Sequence, residues 1–217
     1  MYAQFFPICS AGVSMSSERL NQNGWPFDAF SVDLSSLSSM SMRASATGSL
    51  VMDQVRVPDA NRLPEAKGLG GPLRCLTNAR YSVGFGVLGA ARFCLDQAVA
   101  YTQERTQFGV PLARKQLIQQ KLADMGARIV HGCVLGVHYG RLKELDALHH
   151  VQVSLFKRDA CQTALDAARD ARAVLGANGI TTEYHVIRHA LNLESTYTYE
   201  GTHEIHTLAL GRALTGE

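Results

Sequence analysis

Closely spaced cysteines are missing from this sequence of 217 residues. A disulfide framework or a cysteine zinc site needs pairs such as CxxC, and neither is indicated here. The five cysteines are odd in number and far apart: Cys9, Cys75, Cys94, Cys133 and Cys161. Most of them fall in apolar stretches, so we expect buried, reduced thiols and a reducing compartment.

Dense basic blocks and long apolar runs are missing as well. The 21 Lys and Arg residues are spread among 19 Asp and Glu residues, and the formal net charge is +2. Because a nucleic-acid footprint needs clustered basic residues, no nucleic-acid partner is expected. No uninterrupted apolar run reaches the roughly 20 residues of a membrane-spanning helix, so no membrane partner is expected either. The first residues also lack the basic region of a signal peptide and the Arg-rich pattern of a transit peptide.

The composition that is present, 46% hydrophobic and 18% charged, is typical of a globular chain with one sizeable core. The chain changes character twice along its length. Residues 1–41 are rich in Ser and Met without a clear period and predict a poorly ordered leader. Residues 42–72 carry alternating valines up to Pro58 and then a loop rich in Gly and Pro. A strand this short needs partners, supplied either by the first 40 residues or by a larger domain.

Residues 73–217 are predicted to be helical almost throughout. The predicted helices span 77–104, 114–141, 149–175, 183–196 and 203–214. They are separated by the stop signals FGVP, ELDALHH and GANG. Long helices joined by short loops favour a mainly α fold, an up-and-down four-helix bundle preceded by a remnant of β structure.

Two motifs resemble known sites only superficially. GFGVLG (84–89) matches GxGxxG, but it lies in a helical pattern without the preceding strand that a dinucleotide site requires. The pairs His185/His189 and His203/His206 have helical spacing, yet no third ligand is suitably placed. No metal site is expected.

The segment TYEGTHEIH (198–206) is more informative. Glu200 and Gly201 directly precede a predicted helix, and Thr202 is well placed as its N-cap. A helix N-terminus presents free N–H groups and favours an anion. The alternative is that Thr202 only caps the helix and Glu200 is a solvated loop carboxylate.

The residues Arg105, Gln107 and Phe108 form a second candidate cluster, at the end of a predicted helix. They could hold a nucleotide through charge, hydrogen bonds and stacking. A helix end with Gly109 and Pro111 as stop signals explains the same residues structurally.

Several long motifs resemble the acyl-CoA dehydrogenase family, in the family's order, over about residues 42–217. They are RTQFGVPLARKQLIQQKLADM, LGANGI and NLESTYTYEGTHEIHTLALGRALTG. The glutaryl-CoA branch is the most similar one, through SMRASATGSLVMDQVRVPD, LTNARYSVGFGVLGA and YEGTHEIH. The resemblance implies that 42–72 ends a middle β domain and that 73–217 is the C-terminal helical domain for FAD and acyl-CoA.

The resemblance also implies an activity, α,β-dehydrogenation of an acyl thioester with Glu200 as the base and FAD as the hydride acceptor. In the glutaryl branch, decarboxylation then gives crotonyl-CoA and carbon dioxide. The implied FAD-binding residues are Arg105, Gln107, Phe108, Gln116, Ala173, Val174, Leu175, Gly176, Ala177, Thr202, His203 and Glu204, with Ala177 replacing the usual glycine. The implied acyl-CoA contacts are Asn78, Ala79, Arg80 and Gly201.

The resemblance further implies a homotetramer, an electron-transferring flavoprotein as acceptor, and the mitochondrial matrix as the location in a eukaryote. Two alternatives stay open. One is a truncated, non-catalytic helical module that retains oligomer contacts, and the other is an acyl-CoA dehydrogenase or oxidase of another chain-length branch. Autonomous FAD binding separates the first alternative from an enzyme.

Overall fold

A computed structural model describes residues 30–33, 39–45, 49–52 and 56–217 of the chain. The chain divides into two compact units, Met1–Ala66 and Lys67–Glu217. Most of the leader predicted at 1–41 lies outside the described residues.

The first unit contains a two-stranded antiparallel sheet. Strand β1 (Phe30–Asp33) pairs with β2 (Ser49–Met52) in a register that places Phe30 opposite Met52. Strand β1 lies within residues 1–41, the segment that the sequence assigns to the leader. The partner strand of β2 does come from within the first 40 residues, one of the two sources that the sequence left open. A single 3₁₀ turn follows at Asp59–Asn61.

The second unit is a bundle of α-helices, which confirms the predicted fold class. The helices are α1 (Gly70–Glu104), α2 (Gln116–Glu144), α3 (His150–Val174), α4 (Val186–Thr198) and α5 (His203–Thr215). A tight hairpin of β3 (Thr106–Gln107) and β4 (Val110–Pro111) joins α1 to α2, followed by a 3₁₀ turn at Leu112–Arg114. A second 3₁₀ turn at Gly176–Ile180 leaves α3.

Helix α1 begins several residues before its predicted start. The sequence Gly70–Gly71–Pro72 was assigned to the preceding loop because Gly and Pro punctuate loops. Proline is tolerated in the first turn of a helix, however, where its missing N–H would have had no partner. Pro72 therefore lies inside α1 without interrupting it.

Helix α3 is the centre of the bundle. It packs against α1, α2, α4 and α5, and small residues such as Ala164, Ala168 and Ala171 are completely buried along it. Small side chains let neighbouring helices approach closely, so one helix can contact four others. This arrangement brings side chains of α3 to the connection between α4 and α5.

One helix in the described part of the chain, α1, is long and apolar enough to cross a membrane by length and composition, with a mean hydropathy of 1.3. Arg92 and Asp96 form an ion pair on it, with Nε and Oδ1 2.8 Å apart. Its Ala91, Cys94 and Ala98 are fully buried in the bundle core. Packing on α3 accounts for the apolar composition of this helix.

The cysteines divide between core and surface. Cys94 and Cys161 are buried thiols, as predicted, whereas Cys75 and Cys133 are exposed. Burial raises the pKa of Cys94 to about 12, which leaves it a protonated core thiol. Cys9 lies outside the described residues.

Candidate active site

The turn between α4 and α5 carries the carboxylate that the sequence singles out. Helix α4 ends where the Tyr199 N–H donates to the Ser195 carbonyl at 2.8 Å. Helix α5 begins at Thr202, whose Oγ1 accepts from the Ile205 N–H at 3.3 Å, as the N-cap prediction requires. Between these ends lie Glu200 and Gly201.

The backbone of this turn is left-handed at two consecutive residues. Glu200 has φ 58° and Gly201 has φ 97°. A non-glycine residue in this region costs on the order of 1–2 kcal/mol, so the surrounding structure must hold it there. Close packing also favours glycine at 201, because a Cβ would lie 3.0 Å from Nε2 of His206 and 3.3 Å from Nη2 of Arg80.

Two cationic side chains from different helices hold the turn through its carbonyls. Arg80 of α1 donates from Nε to the Glu200 carbonyl at 2.6 Å. Lys157 of α3 donates from Nζ to the Gly201 carbonyl at 2.8 Å. These contacts fix two successive peptide planes. Neither hydrogen bond involves the Glu200 carboxylate.

The Glu200 carboxylate is only partly open to solvent, and the residue is of intermediate exposure. Its Oε2 is buried and has no hydrogen-bond donor within the described residues. An unpartnered buried acceptor is uncommon in folded proteins, where such groups are usually satisfied. The acceptor capacity of this oxygen is therefore unused within the described residues.

His206 packs behind the turn and is almost completely buried, with 1% of its surface exposed. Its Nε2 has no partner in the described part of the chain. Burial, with the Lys157 and Arg80 charges adding to it, lowers the pKa of His206 to about 4, against an opposing hydrogen bond with the Glu200 backbone. His206 is therefore neutral at pH 7.

Acid is expected to destabilise the bundle through His206. The folded-state pKa of about 4 lies below the ordinary value of 6.5, so the unfolded chain binds more protons between these two pH values. The stability contribution of neutral His206 is full above pH 6.5 and is lost as pH falls towards 4, by roughly 2–3 kcal/mol.

The measurement is urea unfolding at a series of pH values. The variant His206→Gln should flatten the dependence between pH 6.5 and 4, whereas the control His131→Gln, on the exposed face of α2, should not. An equal slope in wild type and His206→Gln would contradict this account.

A cleft of about 260 Å³ lies at the C-terminal end of α3. It brings the segment after α1 together with the turn after α3, two regions that the sequence linked only through family resemblance. Gly176 has φ 61°, and the Asn178 side-chain amide donates to the Tyr101 hydroxyl at 3.1 Å. The predicted residues that line the cleft are Arg105, Gln107, Val174, Leu175, Gly176 and Ala177, and the unpredicted ones are Tyr101, Leu112 and Asn178.

Other predicted cofactor residues lie outside the lining of this cleft. Phe108 is 91% exposed, with the Lys115 ammonium 5.5 Å from its ring centre. Gln116, in the first turn of α2, and Ala173, near the end of α3, are both exposed. Exposed residues of this kind are accessible from outside the chain rather than from its own cleft.

The remaining predicted residues cluster around the turn. Thr202, His203 and Glu204 form the start of α5, and the His203 ring stacks on Tyr197 with centroids 4.6 Å apart. Asn78, Ala79 and Arg80 are partly buried on α1, with Arg80 reaching the turn itself. The predicted substrate segment and the predicted base are thus in direct contact.

The histidine pairs have separate surroundings. The ring of His189 packs against Phe93 in a tilted arrangement with centroids 4.8 Å apart, and His185 lies in the left-handed region ahead of α4. No group of three or more His, Cys, Asp and Glu side chains suited to a metal ion occurs in the part of the chain that the structure describes.

The fold and the site define a helical-bundle domain with a partly buried carboxylate between its last two helices. The family model "Acyl-CoA dehydrogenase, C-terminal domain" matches residues 66–215. The chain belongs to the acyl-CoA dehydrogenase family.

Individual relatives agree on the family and differ in their substrates. The short-chain-specific acyl-CoA dehydrogenase of Megasphaera elsdenii is 35% identical over 81% of this chain and 46% of its own length. A crystal structure of glutaryl-CoA dehydrogenase from Mycobacterium smegmatis shares 53% identity, with a TM-score of 0.85 over 88% of this chain and 49% of that one. A second structure, of a glutaryl-CoA dehydrogenase from the same organism in complex with FADH2, shares 46% identity, with a TM-score of 0.85 over 88% of this chain and 50% of that one. The chain thus spans about half the length of the relatives it matches.

Proposed function

We propose that this chain carries the catalytic base and part of the cofactor site of an FAD-dependent acyl-CoA dehydrogenase that acts on glutaryl-CoA. The observation that carries the proposal is the Glu200 carboxylate, which is held in a left-handed turn with Oε2 buried and unpartnered among the described residues. A carboxylate oxygen without a hydrogen-bond donor among the described residues keeps its acceptor capacity for a substrate proton.

The chain's own part in the reaction is proton abstraction. Glu200 removes a proton from the α-carbon of the acyl thioester, and the electron pair of that C–H bond becomes the new bond between the α- and β-carbons. When bound, FAD supplies the acceptor for the hydride that leaves the β-carbon. Glu200 holds the α-proton after the step, so it must release that proton before the next turnover.

Several residues fit the cofactor. The cleft combines the Arg105 guanidinium, the Gln107 amide and the exposed backbone of Gly176. A guanidinium suits a phosphate oxygen, and free N–H groups at the start of α5 favour an anion. A cleft of about 260 Å³ accommodates part of a dinucleotide, and exposed Phe108 and Gln116 suit the cofactor of a neighbouring subunit.

Glutaryl-CoA is the proposed substrate because the Mycobacterium smegmatis enzyme shares 53% identity, against 35% for the short-chain relative. The enoyl product would then lose its distal carboxylate as carbon dioxide, and the carbanion that remains would take up a proton at the γ-carbon to give crotonyl-CoA, a step of lysine and tryptophan degradation. The proposal further includes assembly as a homotetramer and transfer of electrons to an electron-transferring flavoprotein. In a eukaryote, the proposed location is the mitochondrial matrix. Oxidation of another acyl chain length would change the substrate and keep Glu200 as base.

A second candidate function, a non-catalytic assembly module, is favoured by the surface of α2. Val130, Val134 and Val137 have helical spacing and are 58%, 66% and 50% exposed. Apolar residues repeated along one helix face are typical of an interface. Such a module would not need to bind FAD.

Arg105→Ala is expected to weaken FAD binding about 10- to 30-fold, since a charge-assisted hydrogen bond contributes roughly 1.5–2 kcal/mol. The measurement is titration of the purified chain with FAD, followed by quenching of flavin fluorescence. Arg92→Ala is the matched control, because Arg92 lies on α1, the helix that ends just before Arg105, and pairs with Asp96. Equal FAD affinity in Arg105→Ala and wild type would contradict the assignment, and no FAD binding by wild type would favour the assembly module.

A further inference from the structure

Lys157 is a buried lysine without an assigned role in the proposed reaction. Its side chain is completely buried in the middle of α3. No ion pair joins it to a carboxylate among the residues with described positions. Burial lowers the pKa of its ammonium group, the direction expected for a cation removed from water. A lysine is rarely buried without a specific partner, so its contacts require an explanation.

Both hydrogen bonds of Lys157 go to the connection that carries Glu200. Nζ donates to the Gly201 carbonyl at 2.8 Å and to the Tyr197 carbonyl at 3.4 Å. One turn further along α3, the Cys161 thiol donates to the Thr196 carbonyl at 3.3 Å. The last carbonyls of a helix lack partners inside that helix, and a cation near them is favoured. Lys157 therefore joins the end of α4 to the turn that follows it.

The position of this bond determines what it controls. The Gly201 carbonyl belongs to the peptide plane directly after the left-handed Glu200–Gly201 pair. Arg80 holds the preceding plane from α1, and His206 fills the space beside Gly201. Without Lys157, the Gly201 carbonyl would lose the side-chain donor that it has among the described residues, and the strained backbone could relax towards an ordinary conformation.

We infer that Lys157 is a positioning residue: by binding the Gly201 carbonyl from α3, it holds the Glu200 carboxylate at the point where the base must meet its substrate. The inference rests on the proposed function in assigning the base to Glu200. The geometric part, control of the turn by Lys157, does not depend on bound cofactor or substrate.

The first test is amide hydrogen exchange of the flavin-free chain. In Lys157→Met, which keeps the length and apolar stem of the side chain, the Tyr199 and Ile205 amides should exchange at least about tenfold faster. Amides in the middle of α2 should be unchanged. Lys121→Met is the matched control, because Lys121 is a half-exposed lysine that pairs with Asp170 at the surface. Unchanged protection at Tyr199 and Ile205 in Lys157→Met would overturn the inference.

The second test separates positioning from general stability. With FAD bound, Lys157→Met should keep the wild-type FAD affinity and reduce the rate of flavin reduction by substrate about 10- to 100-fold. Lys157→Gln, which restores a donor without the charge, should recover part of both the protection and the rate. Equal losses in Lys157→Met and Lys157→Gln would contradict a role through the Gly201 hydrogen bond.

Failure of the two proposals can be told apart. If wild type binds FAD but glutaryl-CoA and shorter acyl-CoAs fail to reduce it, the proposed function is wrong, and hydrogen exchange still decides whether Lys157 holds the turn. If Lys157→Met does not fold, the exchange experiment is made on Lys157→Gln. Wild-type amide protection at Tyr199 and Ile205 in this variant, together with a wild-type rate of flavin reduction, would overturn the role of the ammonium charge.

Discussion

Glu200→Gln is expected to reduce the rate of substrate-driven flavin reduction by a factor of about 10²–10⁴, the usual contribution of a positioned general base. Glutamine has nearly the same shape as glutamate, but its amide cannot take up a proton near neutral pH. The contacts that hold the turn use the carbonyls of Glu200 and Gly201, not the carboxylate. The fold and the FAD affinity should therefore be retained.

The measurement is stopped-flow absorbance of the flavin after anaerobic mixing with acyl-CoA. Glu194→Gln is a close control, because Glu194 lies six residues earlier on α4 and its carboxylate, 53% exposed, pairs with Arg169 at the surface. Its rate should stay within about threefold of wild type, because an exposed carboxylate contributes little electrostatically. A Glu200→Gln variant that reduces flavin at the wild-type rate would show that another group is the base.

Phe156→Ala is expected to lower the free energy of unfolding by about 3–5 kcal/mol, the usual range for removing a buried aromatic side chain. Phe156 is 1% exposed and packs against Tyr81, Phe85 and Tyr139 with ring centroids 5.7, 5.6 and 6.2 Å away. A Cβ on Gly136 would lie 2.7 Å from the Phe156 ring, so the facing helix leaves room for the aromatic group. Truncation would leave a cavity between three helices.

Urea unfolding followed by helical circular dichroism measures this loss. Phe108→Ala is the control, because its ring is 91% exposed and its removal should change stability by less than about 0.5 kcal/mol. Similar stabilities for Phe156→Ala and Phe108→Ala would mean that the aromatic cluster does not form the centre of the core. Phe156 directly precedes Lys157 in α3. The Phe156→Ala variant therefore also tests how far the stability of α3 depends on its core contacts.

The helical part of the fold could be predicted because its signals are local. Apolar residues at helical spacing and stop signals such as GANG lie within one element, and the helices occur where this pattern places them. The start of α1 was misplaced because the same Gly–Gly–Pro sequence suits a loop or the first turn of a helix. Strand β1 was missed because its four residues carry no pattern beyond that of the surrounding Ser-rich segment.

The site could be predicted only as far as its local sequence allowed. The order Glu200–Gly201–Thr202 indicates a carboxylate ahead of a capped helix, but solvated and buried carboxylates have the same sequence pattern. The deciding contacts are not local, because Arg80 reaches Glu200 across 120 positions and Lys157 reaches Gly201 across 44. Lysine in an amphipathic helix is usually a surface residue, so no sequence signal distinguished Lys157.

Anaerobic titration of the FAD-loaded chain with glutaryl-CoA, followed by visible absorption, tests the central claim most directly. If the chain carries the base and sufficient cofactor contacts, the protein-bound flavin band will bleach as substrate is added, and it will stay oxidised in Glu200→Gln. A wild-type chain that retains FAD but shows no bleaching with glutaryl-CoA or shorter acyl-CoAs would contradict the claim that Glu200 acts as a dehydrogenase base in this protein.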